Sequence, residues 1–320
     1  MPDKNTPAKK TAAKKTPEGN ASGAKSTTGK ATAPARISVA KTYKLYVGGK
    51  FPRSESGRVY PVTDARGEFV ANAAHASRKD LRDAVVAARK AFGGWSSATA
   101  YNRGQVLYRV AEVMEGRREQ FAAEVAASEG VPIAAARSIV DTAIDRWVWY
   151  AGWTDKIATV LGAANPVAGP YFSFTVPEPT GVVGVLAPQA SSLLGLVSVV
   201  APVLATGSTA VVVSSAERPL PAITLSEVLA TSDVPGGVVN VLTGRASELG
   251  SWLAGHADVD ALDPTGADVE ARVELARSAA GTVKRVLTVP DAEPDWTTAP
   301  DIARLRRYLE AKTVWHPLGV

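Results

Sequence analysis

Four groups of residues have types and spacings that could do chemistry. Ser191 and Ser192 stand together ahead of an apolar run. A nucleophilic serine needs a histidine base and a sharp Gly-x-Ser-x-Gly turn. The chain has three histidines, His75, His256 and His316, and no such turn, so helix capping is the reading for both serines. Asp258, Asp260 and Asp263 form an acidic cluster of the kind that oxygen-ligated cations accept. Thr243-Gly244 and Thr265-Gly266 fall where strands end. A phosphate can approach the backbone at such places, or the turn simply requires glycine, and both readings stay open. Gly23 to Lys30 has the outline of a phosphate loop. Five residues separate Gly23 from Gly29 where four are needed, however, and Ala31 follows Lys30 where Ser or Thr should bind magnesium. There is no cysteine, which excludes disulfides and thiolate metal clusters within the chain.

The elements that must position these residues change character along the chain. A short strand over Tyr43–Val47 runs into the Gly48-Gly49 turn. From Ser77 the pattern is helical: Ser77 caps, Asp80 lies in the first turn, and Leu81, Val85, Ala88 and Phe92 recur at helical spacing. Further helices are expected over 105–115, 121–128 and 142–158. After Pro170 short β-branched strands alternate with helices: strands 182–186, 210–213, 238–242 and 283–289, helices 193–204, 219–230, 247–253 and 268–279. Fully apolar strands separated by helices signal a parallel sheet covered on both faces, an α/β doubly wound fold. The apolar stretch 193–204 is interrupted by Gly195 and Ser198 and is shorter than the roughly 20 residues of a membrane helix, so no membrane association is expected. Pro300, Ile302, Leu305 and Leu309 suggest an amphipathic helix followed by an extended piece at Val314–Pro317.

Composition divides the chain. Its 320 residues are 46% hydrophobic and carry a net charge of +5, but eight of the basic residues against two acidic ones lie in the first 36 positions. Residues 1–37, rich in Lys, Ala, Pro and Thr and without an aromatic side chain, read as a disordered tail. The basic stretch 4–36 suits nonspecific nucleic-acid association by counterion release, or a solubilising tether. Residues 38–292 read as the main domain and 293–320 as a C-terminal helix and extended tail. With no cysteine and no signal-peptide core after the N-terminal lysines, the expected compartment is the cytoplasm.

The order of several segments resembles the aldehyde dehydrogenase superfamily. They are Leu45–Lys50, Ala87–Phe92 with Trp95, Tyr150–Ile157, Glu178–Pro188, Val234–Gly244, His256–Asp260 and Lys284–Val286. The resemblance implies that family's amino-terminal cofactor domain, which binds a dinucleotide at the strand ends without a Gly-x-Gly-x-x-Gly loop. It also implies that Asp258 and Asp260 lie in a surface turn without a metal. In active members a cysteine thiolate attacks the aldehyde, a side-chain amide and a backbone N–H hold the oxyanion, and a glutamate activates water.

Carried over residue by residue, these roles meet the wrong side chains. Ala190 takes the oxyanion asparagine's position, Val213 and Ala216 take those of the lysine and glutamate that grip the ribose, and Val289 takes that of the general base. The segment near the cofactor phosphates becomes Pro264–Ala267, keeping glycine and losing serine, and the position of the cysteine falls beyond Val320. No catalytic residue is expected. What remains of a cofactor site would be Pro188, Thr243, Gly244, Thr265 and Gly266, for no cofactor or weak NAD(P). The implied function is a catalytically degenerate, non-catalytic binding or regulatory subunit in a homo- or hetero-oligomer with an aldehyde dehydrogenase paralogue. The alternatives are an NAD(P)-binding sensor and nucleic-acid association through the basic tail. An apolar face left without its usual covering domain is expected to need a partner. The resemblance also implies that Thr313–Trp315 joins a neighbouring subunit's sheet.

Overall fold

The computed structural model of the chain describes residues 39–319, so the sequence readings for residues 1–37 lie outside the described residues. The N-terminal part places β1 (Thr42–Tyr43), β2 (Val59–Thr63) and β3 (Phe69–Ala74) in one sheet of order β1-β3-β2. Helices α1 (Arg78–Ser97), α2 (Ala100–Gly116), α3 (Arg118–Glu129), α4 (Ile133–Ala151) and α5 (Ile157–Leu161) follow. Next come β4 (Ala163–Asn165) and β5 (Tyr171–Pro179). The alternating part runs β6 (Val182–Leu186), α6 (Leu194–Ala205), β7 (Thr209–Val213), α7 (Leu220–Ala230), β8 (Val239–Leu242), α8 (Ala246–Gly255), β9 (Ala261–Asp263), α9 (Val269–Ala280) and β10 (Arg285–Val286). The chain closes with α10 (Ile302–Arg306) and β11 (Leu309–Pro317).

The strands β10-β9-β6-β7-β8 form one parallel sheet in that order. Successive side chains of a strand face opposite sides, and here both sides are core. Val183 and Val185 of β6 join one apolar cluster and Val182 and Leu186 the other. In β7 the same division holds between Ala210 with Val212 and Val211 with Val213. This is the doubly wound α/β architecture, and each buried Val or Leu contributes roughly 1.5–3 kcal/mol by leaving water. Helix α6 is buried along its whole length, so its all-round apolar character serves the core. Among the described residues no helix is long and apolar enough to cross a membrane.

Local sequence rules hold at α1, where Ser77 and Asp80 form a capping box: Asp80 N–H donates to Ser77 Oγ (3.3 Å) and Ser77 N–H to Asp80 Oδ2 (2.8 Å). Several boundaries differ from expectation. The helix expected over 142–158 runs earlier, over Ile133–Ala151, because the turn at 152–156 breaks the ladder before α5. The strand expected over 283–289 is only Arg285–Val286, since Val283 has φ +54° and is 93% exposed, a turn conformation that cannot continue a strand. The C-terminal helix is the short α10. Thr313–Trp315 lie in β11, which pairs on one side, antiparallel, with β5 of the same chain from Leu309↔Pro179 to Pro317↔Tyr171. Trp296, Leu305 and Tyr308 from the C-terminal segment enter the core cluster that α6 belongs to.

Candidate functional site

The chain runs from β6 to β7 and β8 on one side of the sheet, then crosses to β9 and β10 on the other. The order reverses between β6 and β9, and open α/β sheets bind ligands at the carboxyl ends of strands beside such a switch point. A cleft of about 1180 Å³ lies at these ends. Residues after β7 (Ser215–Arg218), after β8 (Gly244–Glu248) and after β9 (Gly266–Asp268) form its floor. Tyr60 to Ala65 and His75 form the opposite wall.

Of the five residues expected from the sequence, Gly244 and Gly266 line the cleft; Pro188, Thr243 and Thr265 do not. Gly244 has φ +148° and packs against His75 and Leu249. Gly266 is held to β6, its N–H donating to Leu186 O at 2.8 Å. A Cβ there would stand 1.7 Å from Ala187 O, so this close approach is of backbone to backbone. Thr243 is fully buried and donates its hydroxyl to Ala74 O (2.5 Å). Thr265 donates both its hydroxyl (2.5 Å) and its N–H (3.0 Å) to Asp263 Oδ1. Pro188 is buried beside Gly195 of α6. Three of the five are therefore spent on the fold.

Of the serine pair, Ser191 alone accepts an N–H from the start of α6, whose N-cap residue is Leu193, and Ser192 does not cap. Ser191 Oγ accepts Gly195 N–H (2.9 Å), and Ser192 donates its N–H and hydroxyl to Glu129 Oε1, both at 2.7 Å. The acidic cluster, by contrast, is dispersed. Asp258 faces solvent. Asp260 pairs with Arg89 and accepts Val182 N–H (2.7 Å). Asp263 ends β9 fully buried, with Tyr308 Oη and Arg304 Nη1 on Oδ2 at 2.6 and 3.2 Å. No trio of His, Asp or Glu among the described residues is placed to hold a metal.

The chemistry of the donors in the cleft bears on a dinucleotide. Arg218 and Arg245 are opposed by Asp64, Glu217, Glu248 and Asp268, an acid surplus that repels a pyrophosphate. Arg218 donates to Ala190 O. Arg245 stands 4.0 Å from Glu248, whose other oxygen is 3.0 Å from His75 Nε2. At the end of β7, Val213 is buried hydrocarbon and Ala216 brings only a methyl group to the cleft wall. The Tyr60 hydroxyl is buried without a partner, and burial pushes its pKa well above the usual phenol range. These groups do not fit NAD(P). Two residues that matter at the switch point, Glu293 and Arg146, are absent from the sequence reading. Each acts on backbone about a hundred residues or more away, and neither lies in a motif.

Residues 51–289 match the model of the aldehyde dehydrogenase family. The mitochondrial benzaldehyde dehydrogenase of Antirrhinum majus is 34% identical over 247 residues, covering 76% of this chain and 46% of its own. Among solved structures, an NAD-dependent aldehyde dehydrogenase from Sinorhizobium meliloti superposes with a TM-score of 0.72 at 30% identity, over 78% of this chain and 50% of that one. An NAD+ complex of aldehyde dehydrogenase from Bacillus cereus gives 0.72 at 28% identity, over 77% and 50%. The chain spans about half the length of the relatives it matches. On the order of its strands, the switch-point cleft and these matches, the chain belongs to the aldehyde dehydrogenase family.

Proposed function

We propose that this chain is a catalytically degenerate member of its family that serves as a non-catalytic binding or regulatory subunit beside a full-length, active aldehyde dehydrogenase. The observation that carries the reading is the loop after β6. Where the resemblance expects an amide to hold an oxyanion, Ala190 offers a methyl group, and the loop's own N–H groups are engaged by Glu293. A methyl donates no hydrogen bond. The expected general-base position, Val289, is hydrocarbon packed against the core and takes no proton.

A surface for a partner supports the second half of the reading. In the sheet β11-β5-β4, β11 is an edge strand of nine residues, and among the described residues no strand pairs with its other side. Trp315 (58% exposed), Phe172 (51%) and Tyr171 (43%) crowd this sheet, with the Tyr171 and Trp315 rings 5.8 Å apart. An open edge flanked by exposed aromatics accepts a strand from another chain, main-chain bonds giving affinity and side chains specificity.

Native mass of the purified chain, alone and mixed with a full-length active aldehyde dehydrogenase, tests this. A stoichiometric complex weakened by Trp315→Ala is expected. A chain that stays monomeric in every mixture overturns the subunit reading, and NAD reduction at enzymatic speed by the isolated chain overturns the degenerate one.

A further inference from the structure

The loop 187–193 is the first strand-to-helix turn of the parallel sheet. In open α/β folds such a turn sets backbone N–H groups against the phosphates of a ligand. Here those groups face carboxylates of the same molecule. Ala190 N–H donates to Glu293 Oε2 and Ser191 N–H to Glu293 Oε1, each at 3.2 Å. Ser192 N–H is taken by Glu129.

Glu293 is held in place by its neighbours. Trp296 donates its indole N–H to Glu293 Oε1 (2.9 Å), and that indole is 8% exposed in the core around α6. The backbone just beyond is gripped by Arg146, a buried guanidinium that donates to Trp296 O and Thr298 O, both at 2.8 Å, and to Ser198 Oγ at 3.0 Å. Arg304 stacks over the Trp296 ring at 5.3 Å. Residues 293–298 thus form a strap, anchored in the core, whose first residue reaches out over the loop.

We infer that Glu293 is a resident stand-in for an anionic ligand: the strap seats its carboxylate on the Ala190 and Ser191 amides, so a phosphate or a dinucleotide must displace the chain's own acid to reach them. The surroundings agree in sign. The guanidinium of Arg218 is engaged with Ala190 O, and the adjoining cleft has more carboxylates than guanidiniums. The seat is closed by covalently attached charge at an effective concentration that a free anion must outcompete. This inference goes beyond the subunit reading and stands or falls without it.

Thermal unfolding of the full chain tests it, with sodium sulfate and NAD as probes and sodium chloride at matched ionic strength as the control. The wild-type chain is expected to show no saturable rise in Tm with either probe at millimolar concentration. Glu293→Ala is expected to acquire a saturable, sulfate-dependent rise. A wild-type rise equal to the variant's, or no sulfate effect in the variant, overturns the inference. Should Glu293→Ala fail to fold, Glu293→Gln keeps the side chain's shape with weaker acceptors and should gain the same sulfate response to a smaller extent. Hydrogen exchange on the wild-type chain reads the seat directly: protection of the Ala190 and Ser191 amides is expected, and exchange at the rate of open loops overturns the proposal.

Discussion

Tyr308 donates its hydroxyl to Asp263 Oδ2 across 2.6 Å, and both side chains are fully buried. This contact joins the segment after α10 to the end of β9, and with Arg304 and Thr265 it saturates the carboxylate. Burial and the Asp263 charge together push the Tyr308 phenol well above its ordinary range, so it stays a donor. Tyr308→Phe leaves a buried charge short of one partner and is expected to cost about 1.5–3 kcal/mol. Asp263→Ala, which strands Arg304, is expected to cost about 3–5 kcal/mol. Urea unfolding midpoints at constant m-value check both.

Glu124 links stability to pH. Burial raises its pKa above the usual glutamate range, and its Oε2 is buried without a partner while Thr224 and Gln120 donate to Oε1. Between the unfolded and the raised folded pKa the native state holds a proton that the unfolded chain has released. This contribution is therefore full below the unfolded pKa and declines as pH rises towards the folded one. Relative to Glu124→Gln, the wild-type chain should lose stability as pH rises through that window. Denaturation of the pair across the pH range checks the slope, and equal pH profiles would refute it.

Gly266 is required by packing against Ala187. Gly266→Ala forces a methyl into a space 1.7 Å from a carbonyl oxygen, so β6 and β9 must separate, at about 3 kcal/mol or more. Gly94→Ala in α1, where an added Cβ meets nothing within 4 Å, is expected to stabilise by about 0.5–1 kcal/mol. Melting temperatures of the two variants should move in opposite directions.

Arg146 anchors the strap. Its guanidinium pKa is lowered by burial, yet it remains the donor to the carbonyls of Trp296 and Thr298. Arg146→Ala is expected to cost about 2 kcal/mol and to open residues 293–300 to limited proteolysis. Mass spectrometry of the first cleavage products checks the site, and cleavage elsewhere with 293–300 intact would contradict the anchoring role.

Much of the sheet was legible because its strands are short, uninterrupted, β-branched runs between helices. Residues 182–186 form β6 as read, and α6 and α7 begin within one residue of expectation. Strand β9 was missed: it is three residues long and ends in aspartate, so its pattern resembles a solvated acidic turn. Strand β5 was missed because its aromatic and polar residues lie on a sheet with no dry face to impose alternation. Of the candidate site, the location at the strand ends was readable. That Thr243 and Thr265 turn their hydroxyls inward was not, since a threonine beside a glycine has the same spelling in either orientation.

The amino-acid order by itself determined the alternation of buried strands and helices, because burial on two faces demands contiguous apolar runs and those runs are local, and its motifs carried the family resemblance. The resemblance carried by its motifs also set the expectation that Ala190, Val213, Ala216 and Val289 stand where the family needs polar groups. Only the tertiary structure decided where Glu293 and Thr313 lie, 103 residues from Ala190 and 138 from Thr175. Both contacts join segments without periodicity or motif, and a single carboxylate or edge strand finds its partner only after the core has fixed the distance between them.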